Sequence, residues 1–408
     1  MTSAIRDVAV VGAGPAGLAA ALMLARQGRR VTILERFEAA RPVGAGFMLQ
    51  PTGLHVLDCL GLTGAARDLG QPLKRIVGRE ARRGRTVLDM RYADLARPRA
   101  DGLGALGLHR AAIFQVLFDA CLAESVAMQT EREVVEVDDG RPVDAVGRKL
   151  GRFDLVVDAS GARSRIAEAL PGHRAPLGWG ALWATVPWPG APFDPAALQQ
   201  VYRGAAKMIG VLPVGRRPGD PHPVATFFWS LKHGDHDAWR SAGLAAWRDE
   251  VAALWPETQP ILDGIDDPDA LTLARYGHRT LTRPVGRRLA VIGDAAHATS
   301  PQLGQGVNMG LLDALALAEA LSAHADLEEA LSEYARRRRW HVRLYQTLSW
   351  VFTPFYQADG PGLPWIRDHV LGRMTRLPLA DRILAATVSG LLLDPRGGRA
   401  AASLSDRR

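Results

Sequence analysis

The chain opens on an apolar run, Val8-Ala9-Val10-Val11, that breaks at Gly12 and resumes as Leu18, Leu22 and Ala25 at helical spacing. A strand, a glycine turn and a helix are predicted there. A second apolar run, Val31-Thr32-Ile33-Leu34, ends at Glu35. Far along the chain, Arg288 to Ile292 read as a buried strand that stops at Gly293-Asp294, and Leu311, Leu315 and Ala318 give a helix from about Val307 through Ala320 its core face. Between these segments, Lys207-Met208-Ile209-Gly210-Val211-Leu212 and the run Val224 to Leu231 are bounded by turn residues, which predicts an antiparallel sheet. Trp340, Leu344, Leu348, Val351 and Phe355 recur at near-helical spacing, interrupted by Pro354.

The turn after the first strand is Gly12-Ala13-Gly14-Pro15-Ala16-Gly17. Gly12 permits the tight turn, Gly14 lets backbone approach a diphosphate, and Gly17 lets the helix pack closely on the strand. Pro15 suits a first helical turn. A diphosphate there meets unpaired N–H groups and the positive end of the helix dipole, together worth about 1–2 kcal/mol. Glu35 ends the second strand 18 positions after Gly17, where a carboxylate can accept both ribose hydroxyls of an adenosine. This unit binds the ADP half of NAD and of FAD alike.

The distal pattern is more specific. Gly293-Asp294 is followed by Ser300-Pro301-Gln302-Leu303-Gly304-Gln305-Gly306-Val307-Asn308. In these residues the chain resembles the class A flavoprotein monooxygenases, the single-component, para-hydroxybenzoate hydroxylase-like family of FAD-dependent aromatic hydroxylases. The resemblance implies that Gly293 and Asp294 hold the ribityl chain of FAD, and that Pro301, Gly304, Gly306, Val307 and Asn308 lie beside the isoalloxazine. It further implies that Glu35-Arg36 and Arg41 begin the loop after the second strand, with Arg41 approaching the flavin. Arg110, at the start of a helix from Ala111 to Leu122, is expected on FAD, and Val134 on the adenine. One departure stands out: the family carries Ala-Asp-Gly after its central strand, but this chain reads Asp158-Ala159-Ser160-Gly161. Ser160 replaces the aspartate. Asp158 lies two residues earlier, about 6–7 Å along a strand, and is no automatic substitute.

The expected fold is therefore α/β: a Rossmann-like FAD-binding domain with an inserted antiparallel β-sheet substrate domain and a C-terminal helical segment. The expected boundaries are 1–75, 101–171 and 277–345 for the FAD domain, 76–100 and 172–276 for the substrate domain, and 346–408 for a helical cover. A membrane-facing or lipid-tail-binding surface is the alternative reading of that last segment. Seven of the ten tryptophans fall in the insertion, where they serve packing or line an aromatic pocket.

By resemblance, NAD(P)H binds transiently and reduces the flavin, O2 adds at C4a, and the resulting hydroperoxide hydroxylates a small aromatic substrate. No base is singled out: His55, His233, His236, His278 and Tyr202 are all available. An FAD reductase of the isoprenoid-reductase type and a binding protein without flavin are the alternatives.

Composition narrows the field further. At 408 residues, with 47% apolar and 23% charged, the chain is globular. Its net charge of +7 comes with no zinc-finger or helix-turn-helix spacing, so no nucleic-acid partner is expected. Cys59 and Cys121 sit in apolar helical patterns as small hydrophobes, which suits a reducing cytoplasm, and no metal is expected.

Overall fold

A computed structural model describes residues 5–38, 45–360, 362–371 and 379–393. The first apolar run forms β1 (Asp7–Val11), and helix α1 (Pro15–Arg26) follows the glycine turn. β2 (Arg30–Leu34) returns parallel to β1, with Val10 opposite Ile33. Helix α2 spans Arg110–Ala123. On its other flank β1 pairs in parallel with β3 (Leu155–Asp158), and β3 with β4 (Leu289–Val291). Ala127–Gln129 and the antiparallel Val285–Gly286 complete a six-stranded sheet.

The strands are apolar throughout because both faces are covered. Val8, Val10, Ile33 and Val157 pack on one side with Leu18, Leu22 and Leu24 of α1, whereas Ala9, Val11, Leu34 and Val156 pack on the other with Val134, Ile166 and Ala167. Each fully buried leucine contributes about 1.5–3 kcal/mol. Cys59 and Cys121 are buried, and desolvation pushes their thiols up to about 11 and about 12, so both stay protonated as apolar packing.

The chain leaves this sheet after β3 and returns only at Val285–Gly286 and β4. Five strands from the intervening residues and two from earlier in the chain build a seven-stranded sheet with Thr272–Leu281, Gly172–Pro187, Pro223–Lys232, Lys207–Arg216, Ala197–Arg203, Arg75–Glu80 and Thr86–Arg91 side by side. Every neighbouring pair is antiparallel except Ala197–Tyr202 against Arg75–Glu80, because that segment enters from an earlier part of the chain.

Helix α3 (Gly306–Ala323) is long and apolar enough to cross a membrane by length and composition, but 72% of it is buried within the fold. Helix α4 (Leu327–Tyr356) runs through Pro354 rather than stopping there. The proline sits in the last turn, so its missing N–H removes a single bond at the fraying end.

A buried charged knot ties these elements together. Asp313 of α3 accepts from the Gly293 N–H at 2.8 Å and from Arg338 Nε of α4 at 2.6 Å, and it meets His297 Nε2 at 2.5 Å. Burial works to raise the Asp313 pKa, but His297 and Arg338 outweigh it and hold it down to about 2. His341 extends the knot, with Nδ1 3.2 Å from Arg338 Nη1 and Nε2 2.9 Å from the Gly390 carbonyl. Burial, then the neighbouring guanidinium, pushes its pKa down to about 3. The ring is thus neutral and donates from Nε2.

An unfolded histidine titrates near 6.5, so between there and 3 only the unfolded chain takes this proton. The contribution of His341 is fully present above about pH 6.5 and falls by about 1.4 kcal/mol per pH unit below it. Urea unfolding between roughly pH 7 and pH 5 is expected to lose that one-proton slope in His341→Gln.

Candidate functional site

A cleft of about 440 Å³ opens at the carboxyl ends of β1, β2 and β3, where strand order reverses and α/β sheets bind ligands. Its floor is the first turn: Gly12, Ala13, Gly14, Pro15 and Ala16 all line it. Gly12 has φ +98°, and a Cβ there would stand 2.8 Å from the Ala159 carbonyl oxygen. A Cβ on Gly14 would meet no protein atom, because that side faces the cleft. Neither a capping side chain nor an acidic residue occupies the first turn of α1, so its N–H groups are left for an anion. Glu35 lines the same wall and is held by the Ala13 N–H (2.7 Å) and the Phe37 N–H (3.2 Å). Arg36 and Val134 also line it, Arg36 with its guanidinium 4.7 Å from the Phe37 ring centre.

The opposite end is built by the distal turn. Gly293 (φ +61°) places exposed Asp294 in the cleft, and Pro301, Gly304 (φ +62°), Gly306 and Val307 line it. The two ends meet over small residues: a Cβ on Gly310 would stand 3.1 Å from Ala16 Cβ and 3.3 Å from Gly293 Cα. Arg110 stands in the cleft with its guanidinium 6.0 Å from the Phe47 ring centre. It keeps contact with the solvent that fills the cleft while protein surrounds it. Desolvation lowers its pKa, and the charge of Asp294 opposes that.

Among the described residues, two expected site residues do not line the cleft. Gly17 packs behind it, where a Cβ would lie 2.1 Å from the Gly12 carbonyl oxygen. Asn308 is buried and acts as a brace: its Oδ1 accepts from the Gln50 N–H (2.8 Å), and its Nδ2 donates to the carbonyls of Gly304 (2.9 Å) and Met48 (3.2 Å). Arg41 lies outside the described residues. Asp158 is fully buried, with its carboxylate accepting from the Ser160 N–H (3.0 Å), Ser160 Oγ (2.6 Å) and Ser164 Oγ (2.5 Å). It shapes the loop from behind while Ser160 and Ser164 face the cleft.

None of the histidines weighed as a base lines the cleft, nor does Tyr202, which is buried and donates to Gln200 Oε1 at 2.8 Å. Tyr276 does line it. Its hydroxyl oxygen accepts from Trp183 Nε1 at 2.7 Å, and Trp183 in turn packs on Phe228 with ring centres 4.9 Å apart. Burial pushes the Tyr276 phenol well above its ordinary pKa. The sequence signal for it was slight: one tyrosine on the strand that leads back to β4.

The cleft suits FAD: an uncapped helix tip for the diphosphate, a carboxylate at the end of β2 for the ribose, and a second carboxylate at the remote turn for a polyol. Comparison with known proteins agrees. The family model described as "FAD binding domain" matches residues 6–347. The probable 2-heptyl-3-hydroxy-4(1H)-quinolone synthase of Rhodococcus erythropolis is 28% identical over 353 residues, covering 85% of this chain and 87% of that protein. The 6-methylpretetramide 4-monooxygenase of Streptomyces rimosus is 30% identical over 359 residues, covering 82% and 80%. The crystal structure of Klebsiella pneumoniae HpxO complexed with FAD and uric acid superposes with a TM-score of 0.79 at 22% identity, covering 95% and 97%. The chain belongs to the FAD binding domain family and is an FAD-dependent monooxygenase of the class A flavoprotein type.

Proposed function

We propose that this enzyme hydroxylates a small, electron-rich aromatic or heteroaromatic compound that carries an oxygen or nitrogen hydrogen-bond acceptor. The observation that carries the proposal is the neutral Tyr276 hydroxyl, oriented by Trp183 and facing the same cleft as the flavin turn. The relatives support the class, since quinolone and pretetramide skeletons are both electron-rich rings. FAD, when bound, accepts reducing equivalents from NAD(P)H and activates O2 for transfer of one oxygen atom.

The chain does the holding and orienting. The N–H groups at Gly14 and Ala16 grip the diphosphate, with Gly12, Pro15 and Gly17 giving the turn its shape. Glu35 takes the ribose, and Arg36 and Val134 flank the adenosine. Asp294, beyond the Gly293 turn, takes the ribityl hydroxyls. Pro301, Gly304, Gly306 and Val307 border the ring, braced by Asn308, while Arg110 supplies positive charge across from them. In this division of labour residues 1–75, 101–171 and 277–345 hold the cofactor, 76–100 and 172–276 present the substrate, and 346–408 cover both.

Tyr276 is a hydrogen-bond donor rather than a base. Its oxygen already accepts from Trp183, so its O–H is free to donate, and the raised pKa keeps that proton in place at neutral pH. It fixes the ring by a substrate acceptor atom, which keeps the position to be hydroxylated in register with the oxygen donor. Ser160 brings no carboxylate to the cleft, and its hydroxyl is turned inward to Asp158.

Three outcomes are expected. Purified protein carries FAD, and a panel of phenols, anilines and quinolones contains a compound that stimulates NAD(P)H oxidation and yields a product heavier by one oxygen atom. Anaerobic turnover with full product yield would instead establish a reductase. Gly12→Ala forces a Cβ against Ala159 at positive φ; strain of about 1–3 kcal/mol weakens FAD binding about 5- to 160-fold, read by flavin fluorescence titration. Tyr276→Phe retains FAD but raises the substrate KM about tenfold, the worth of one good hydrogen bond, and diverts more reducing equivalents to hydrogen peroxide. Unchanged KM and unchanged peroxide yield would remove Tyr276 from the substrate site.

A further inference from the structure

A second cavity, of about 510 Å³, lies between two turns of the seven-stranded sheet, at 81–85 and 204–206, and the segment that follows α4. Arg82, Arg83, Arg85 and Arg203 line it, together with Glu80, Asp359 and Asp368. The acids are already engaged. Asp359 pairs with Lys232 at 2.6 Å and Asp368 with Arg367 at 2.7 Å, while Glu80 accepts the backbone N–H groups of Arg82 (2.8 Å) and Arg83 (2.9 Å). Arg85 has a buried Nε with no partner among the described residues, and its Nη2 lies 3.4 Å from His369 Nε2. The cavity thus presents guanidinium charge in excess of any carboxylate free to answer it.

Its rim is apolar. In the short helix Gly362–Ile366, Trp365 is 58% exposed, Ile366 39% and Leu363 38%, and the helix packs against α4, where Trp350 is 70% exposed. Aliphatic and indole groups at the edge of an arginine pocket match the two halves of a phospholipid surface, phosphate outside and acyl chains beneath. A second copy of this chain fits less well, since a two-fold contact would set the arginines against themselves. Nucleic acid also fits less well, since His369 stacks on one face of the Trp365 ring at 4.8 Å and takes that base-stacking face.

We infer that this arginine-lined cavity and its Trp365 rim dock the enzyme on an anionic membrane surface by seating a lipid phosphate. The site is separate from the flavin cleft and independent of the substrate proposed above. Flotation of the FAD-loaded full chain with vesicles tests it. Vesicles of phosphatidylglycerol and phosphatidylcholine are expected to carry the protein at low salt and release it at high salt, whereas pure phosphatidylcholine carries little. Arg82→Gln with Arg83→Gln weakens the partition about 25-fold, five-fold for each charge removed. Trp365→Ala weakens it further, with FAD content and the unfolding midpoint unchanged in every variant. Equal partition onto neutral vesicles overturns the inference, as does binding of inorganic phosphate without any vesicle partition. So does a concentration-dependent dimer that Trp365→Ala abolishes.

Discussion

A carboxylate removed from water has to be surrounded by donors, and Asp313 satisfies that demand with three partners drawn from two distant parts of the chain. Its contact with the Gly293 N–H fixes the left-handed turn that aims Asp294. Its pairing with Arg338 fixes where α4 crosses α3. Because Arg338 also engages His341, which donates to Gly390, the same charge reaches the last described segment of the chain. The cofactor end of the molecule and its C-terminal cover therefore share one electrostatic anchor, and neither can shift by an ångström without exposing an unpaired buried ion.

The cofactor cleft was largely legible in the sequence because its parts are local. A strand, a glycine turn and a helix occupy adjacent positions, so Gly12 to Gly17 announce themselves. The same holds for Gly293-Asp294 and the loop from Pro301 to Gly306, whose backbone angles only glycine adopts freely. What stayed hidden depends on tertiary placement. Tyr276 looks like any strand tyrosine until the fold brings Trp183 to its oxygen. Asn308, which has the look of a cofactor ligand, spends its whole amide on backbone groups of its own fold. Pro354 argued for a helix end but came too late in the helix to impose one.

Asp158 illustrates how one substitution reassigns its neighbours. With serine at position 160, a carboxylate two residues earlier is drawn beneath the loop and bound by both flanking serine hydroxyls. Desolvation raises its pKa and those hydrogen bonds work against the rise, which shows a group doing structural service rather than facing solvent. The loop keeps its shape by an internal acid instead of presenting one outward, so residues 158–164 offer the cleft no carboxylate.

The order of strands in the central sheet carries a consequence for how the polypeptide is made. β1 leaves the ribosome well before its sheet partners on one flank, since its neighbour β3 begins at Leu155 and the outer partner β4 only at Leu289. At synthesis rates of about 5–20 residues per second, the first helix tip waits roughly 15–60 seconds before the acidic turn that completes its cleft has been translated. Until then the apolar edge of β1 and the buried face of α1 lack their final cover. Free FAD can therefore stabilise this sheet only after the turn at Gly293-Asp294 has been made.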